Sequence, residues 1–169
     1  MHVMKRSKTL PTNTRNFWLL LCSIYFLVMI VTVIKDEWLT SQQPNLIFYL
    51  IVPTLTIFSG VLGMFVLSRL FRQNIPFLDL LAVSLIVNTI MQIVEILLKL
   101  IYYLVWEYPG ILYILLVIPG GFLLMIAALK RWTKRSLWQV LLLTIVDFLI
   151  GLAAGVFLTE VIEITTPGS

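Results

Sequence analysis

The chain has 169 residues, of which 60% are hydrophobic, a mean hydropathy of +1.03 and a net charge of +4. A soluble domain of this size could not hide so much apolar surface, so lipid must solvate most of its side chains. The lone cysteine, Cys22, excludes an intrachain disulfide or a cysteine metal cluster, and the lone histidine, His2, excludes histidine chemistry within apolar segments.

Residues 1–16 are polar and basic, with Lys5, Arg6, Lys8 and Arg15. The first apolar run, residues 17–34, reaches about 27 Å as a helix, enough to cross a hydrocarbon core. A cleaved signal peptide is the rival reading. The run is long for one, and it ends in Lys35-Asp36-Glu37-Trp38 without a small-residue cleavage pattern. An uncleaved span is expected.

A polar loop closes with Gln43-Pro44-Asn45, and the second span covers residues 46–70. Thr56, Gly60 and Gly63 are spaced i, i+4, i+7, so they share one helical face that lets another helix approach closely. A basic link with Arg69 and Arg72 leads through Pro76, a good first helical residue, into the third span, residues 77–100. Its outer end, Ile101-Tyr102-Tyr103-Leu104-Val105-Trp106, reads as an aromatic interface belt. Pro109-Gly110 is a turn. The fourth span, residues 111–129, holds Pro119-Gly120-Gly121, which should kink or locally break it. Lys130, Arg131, Trp132, Lys134 and Arg135 follow, and the fifth span covers residues 137–162 before a short tail, 163–169.

Ten of the twelve Lys and Arg residues therefore fall on one side of the five spans: Lys5, Arg6, Lys8, Arg15, Arg69, Arg72, Lys130, Arg131, Lys134 and Arg135. By the positive-inside rule that side is cytoplasmic. The expected fold is an all-α, polytopic integral membrane bundle of five transmembrane helices (the domain 17–162), with the N-terminus cytoplasmic and the C-terminus outside. A bacterial plasma membrane is the expected location. The bilayer, including its anionic headgroups, is the expected partner of the cations, rather than nucleic acid. Other membrane proteins or a second copy of the chain stay open as partners.

The third span carries an unusual polar stripe. Asn88, Gln92, Glu95 and Lys99 fall within an arc of roughly 60°, which should face protein or water rather than lipid. Glu95 and Lys99 are spaced for an intrahelical ion pair near the outer boundary, where Lys99 can snorkel. Asp79, near the inner start of this span, suits the helix N-terminus or Arg72. Asp147 lies near the middle of the fifth span. Its face continues through Gly151, Ala154 and Gly155, and Gly151 and Gly155 form a GxxxG motif for close helix contact. A hydrogen bond from Asp147 to Asn88 or Gln92 would join spans three and five, with span two as a close neighbour. Asp147 reads either as structural glue or as a proton or cation site. Trp132 reads as an inner-interface anchor or a docking point.

No HExxH, GxSxG or phosphate-binding glycine loop occurs. Asp79 and Asp147 lack the sequence context of an intramembrane aspartyl protease. No catalytic set can be assembled, and no cofactor or metal site is expected.

The stretches GVLGMFVLSRLFRQNIPFLDLLAVSLI and ILYILLVIPGGFLLMIAALKRWTKRSLWQVLL give the chain from about Leu46 to Leu158 an arrangement that resembles bacterial members of the Yip1 family. Ala82-Val83 stands where that family has a glycine and tyrosine. The resemblance implies a five-span fold with a cytoplasmic N-terminus. Eukaryotic relatives are linked to membrane trafficking and shaping, bacterial relatives have no agreed activity, and the resemblance brings no catalytic residues. Two functions follow as expectations: a non-enzymatic organiser of a membrane complex or its lipids, or a small transporter or permease subunit with a polar site at Asp147, Asn88 and Gln92.

Overall fold

The computed structural model describes the backbone of residues 14–40, 46–105 and 110–165, and the side chains of residues 14–34, 50–101 and 116–161. Five helices make up the described chain: α1 (Arg15–Thr40), α2 (Leu46–Leu70), α3 (Phe77–Val105), α4 (Gly110–Thr133) and α5 (Leu137–Thr165). No strand occurs among the described residues. Each helix holds a stretch long and apolar enough to cross a membrane: Arg15–Ile34, Leu50–Leu70, Phe77–Ile101, Leu116–Thr133 and Leu137–Val161. Lys5, Arg6, Lys8, residues 41–45, Trp106, Pro109 and the end of the tail lie outside the described residues, as do the side chains of Tyr102 and Tyr103.

The bundle is apolar inside and out. Its core gathers Tyr25 and Met29 of α1, Val61 and Met64 of α2, Leu80 and Val83 of α3, Met125 and Leu129 of α4, and Val140 and Leu143 of α5. Its outer face is equally apolar: Leu70 is 74% exposed, and Leu123 and Phe157 are 64% exposed. Water would make so continuous an apolar surface costly, whereas hydrocarbon would not.

The helix pairings follow from small residues. α2 and α5 share the most extensive interface, α3 packs on α1, α2 and α4, and α4 also packs on α5. Among the described residues, no Cα of α3 comes within 8 Å of one of α5. This corrects the expected direct packing of spans three and five. Gly60 and Gly63 on α2 provide the close surface that α5 uses, against Asp147, Val146 and Ile150. α4 stays helical through Pro119, so of the expected kink or local break the break does not occur. Gly120 and Gly121 instead make room for Met91 of α3, whose side chain lies 3.5–3.9 Å from where their β-carbons would be.

Both basic links are closed by cations in the left-handed conformation, Arg72 at φ 54° and Lys134 at φ 52°. After α2, the Gln73 amide donates to the Ser68 carbonyl at 2.7 Å and the Arg72 amide to the Arg69 carbonyl at 3.0 Å. That pair of bonds is a Schellman cap with arginine where glycine is usual. After α4, the Lys134 amide donates to the Lys130 carbonyl at 3.2 Å, the simpler left-handed cap. α5 then starts with a reciprocal capping box. The Ser136 amide donates to Gln139 Oε1, and the Gln139 amide donates to Ser136 Oγ. α3 opens on Pro76, whose carbonyl takes the Asp79 and Leu80 amides, so the proline stands one place before the helix.

Candidate functional site

Asp147 sits ten residues past the start of α5, at the junction of two cavities. The larger, about 570 Å³, runs between α2, α3 and α5 and is lined by Thr56, Asn88, Asp147, Gly151, Thr159 and Glu160 among apolar residues. The smaller, about 330 Å³, lies between α3, α4 and α5 and is lined by Asn88, Gln92, Glu95, Thr144 and Asp147, again among apolar residues. Asn88 and Asp147 line both. The separation of α3 from α5 is what leaves these spaces.

The polar groups around the junction are incompletely matched. Among the described residues, Asp147 has no hydrogen-bond or ion-pair partner. The expected bond from Asp147 to Asn88 or Gln92 does not form. Asn88 donates instead to the Ser84 carbonyl one turn back, at 2.9 Å. Gln92 donates to the Met29 sulfur of α1, also at 2.9 Å, and its Oε1 is buried without a partner. Thr56 Oγ1, on the wall of the larger cavity, is likewise buried and unpartnered. Two orphaned oxygens and a carboxyl thus surround spaces large enough for a small ligand.

The backbone of α2 closes over Asp147. A β-carbon on Gly60 would lie 2.9 Å from the Asp147 carbonyl oxygen, so only glycine fits there without movement. Gly63 stands against Ile150, and its β-carbon would lie 3.2 Å from Val146 Cγ1. β-carbons on Gly151 and Gly155 would meet Thr56 at ordinary van der Waals distances of 3.5–3.9 Å. Ala154 is half-buried on the same helix.

The stripe on α3 divides by depth. Ser84 is fully buried, and Asn88 and Gln92 are half-buried. Glu95 accepts a 2.8 Å ion pair from Lys99, with both side chains partly exposed. Sequence reasoning missed the anchors of α1. The Tyr25 hydroxyl lies 3.3 Å from Thr54 Oγ1, which itself donates to the Leu50 carbonyl, so Tyr25 is the donor. Neither Tyr25 nor Met29 carried a sequence signal for these contacts, which depend on which helix each one faces.

At one end of the bundle the two basic links meet. A third cavity, about 160 Å³, is lined by Asn74, Pro76 and Asp79 from one side and Trp132, Thr133 and Arg135 from the other. Trp132 is half-buried against the core rather than projecting freely. Arg69, Arg72, Lys130, Arg131 and Lys134 are exposed around this end. Arg69 stacks over Phe65 at 4.9 Å and donates to Asn74.

No family profile, curated protein or solved structure matches this chain. Among the described residues, no group of three or more His, Cys, Asp and Glu side chains could hold a metal ion.

Proposed function

We propose that the chain is a five-span, non-enzymatic membrane protein of Yip1-like character. It organises lipids or a membrane complex from the cytoplasmic leaflet of a bacterial plasma membrane. One observation carries the reading: both basic links converge at one end of the bundle, and Arg69, Arg72, Lys130, Arg131 and Lys134 are exposed there. Anionic headgroups attract such cations by about 1 kcal/mol each. Two of the twelve Lys and Arg residues, Lys35 and Lys99, fall towards the other side, and this asymmetry supports a cytoplasmic basic end. The left-handed caps at Arg72 and Lys134 support a fixed platform rather than a loose basic tail.

The test is native mass spectrometry of the gently extracted protein. Anionic lipid or a protein partner should remain bound in Asp147→Asn and be lost when Lys130, Arg131, Lys134 and Arg135 are all changed to Gln. Equal retention in the correctly inserted charge variant would remove this reading.

A second reading, a small transporter or permease subunit, is favoured by the two cavities that meet at Asp147 and Asn88. It requires Asp147→Asn to abolish uptake while the fold survives. A variant that folds and transports normally would end it.

A further inference from the structure

The larger cavity has a one-sided charge. Asp147 lies on its wall in the first half of α5, and Glu160 lies on its wall about three and a half turns beyond. Glu95 continues the acidic character in the adjoining cavity, where Lys99 already occupies it. Among the described residues, no Lys, Arg or His lines either space. The remaining lining is chiefly apolar, with Ile57, Phe148, Leu152 and Val156, and the last three are also exposed on the outer face of the bundle. The space is therefore reached from the flank that would face acyl chains. Its volume falls in the range of small-molecule pockets, which combine apolar walls with a few placed polar groups.

We infer that this cavity binds a lipophilic organic cation, a quaternary ammonium or phosphonium with apolar arms, whose charge lies against Asp147. Among the described residues, an anion would meet Asp147 and Glu160 with no cation to pair it. A small hydrated metal ion would leave the apolar walls unused. A carboxylate in a low-dielectric wall attracts a cation much more strongly than one in water does. The unpartnered Thr56 Oγ1 offers a second oxygen on the same wall. Glu160, at the open end, draws the cation in and contributes less to holding it.

The inference rests on the cavity of the transporter reading but not on transport. Equilibrium binding without vesicle uptake would support this site while removing only that reading.

The experiment uses the full chain in detergent with radiolabelled tetraphenylphosphonium, and with tetraphenylborate, an anion of the same shape. Saturable binding of the phosphonium alone is expected. Asp147→Asn should weaken it about tenfold or more, and Glu160→Gln by a smaller factor. Equal saturable binding of both ions would overturn the inference and make the space an apolar groove for acyl chains. No saturable binding of the phosphonium would also overturn it, as would unchanged binding in an Asp147→Asn protein that elutes like the wild type. Should that variant fail to fold, the comparison of the two ions on the wild-type chain decides alone.

Discussion

Gly60 on α2 and Asp147 on α5 meet with no room for a side chain between them: a β-carbon on Gly60 would lie 2.9 Å from the Asp147 carbonyl oxygen and 3.2 Å from its carboxyl carbon. The contact explains why α2, rather than α3, is the partner of α5. It also gives the polar junction a rigid backbone wall. The two cavities open on the other sides of Asp147, towards α3 and α4.

Gly60→Ala is therefore expected to destabilise the bundle by about 1–3 kcal/mol, the usual cost of overpacking. Gly151→Ala should be neutral or slightly stabilising, because its β-carbon would meet Thr56 at 3.6–3.7 Å and alanine favours helix. Thermal unfolding in detergent, followed by circular dichroism, compares them. Equal melting temperatures would show that the α2–α5 contact is looser than described.

Cysteine pairs test the arrangement of helices directly. With Cys22 replaced by serine, Thr56→Cys with Gly155→Cys should form a disulfide, since those positions face each other across α2 and α5. Asn88→Cys with Asp147→Cys should not, because α3 and α5 stay more than 8 Å apart at Cα and disulfides need less than about 7 Å. The reverse pattern, read by gel mobility without reductant, would restore direct packing of α3 on α5.

Arg72 and Lys134 occupy a backbone conformation that side chains disfavour by about 1–2 kcal/mol. Replacing either with glycine should raise stability by up to about 1 kcal/mol, once glycine's greater freedom in the unfolded chain is counted. Alanine should give no such gain. Denaturation in mixed micelles distinguishes the two, and a destabilised glycine variant would place these caps elsewhere.

The capping box at the start of α5 gives a further check. Ser136→Ala removes the acceptor for the Gln139 amide and should cost about 1 kcal/mol. Gln139→Ala should cost less, as the Ser136 amide is exposed to solvent. Hydrogen exchange at residues 137–140 reports the fraying. Unchanged protection in both variants would argue that the box is not populated.

Much of the fold was legible in the sequence because spans are long and apolar, and their length follows from helix rise alone. The Glu95–Lys99 pair was legible for the same reason, as spacing within one helix fixes it. The contacts between helices were not. Thr56, Gly60 and Gly63 marked a close face, but nothing in their spacing says which helix fills it. Asn88 was expected to reach across to Asp147, yet a side-chain amide in a helix can turn to the carbonyl four residues back, and it does. Nothing in Pro119-Gly120-Gly121 says that Gly120 and Gly121 pack against Met91, a residue on another helix. The capping box Ser136-Leu-Trp-Gln139 was readable as S-x-x-Q ahead of an apolar run, whereas the cavities depend on how far apart α3 and α5 settle.

The most direct test of the account is which side of the membrane the basic end occupies. Single cysteines at Arg131→Cys and Glu160→Cys, in a Cys22→Ser background, would be probed with a membrane-impermeant thiol reagent. The account predicts that position 160 reacts in intact cells and position 131 only in inverted membrane vesicles. Reaction of position 131 from outside would contradict it, and would separate the basic platform from the leaflet it is proposed to organise.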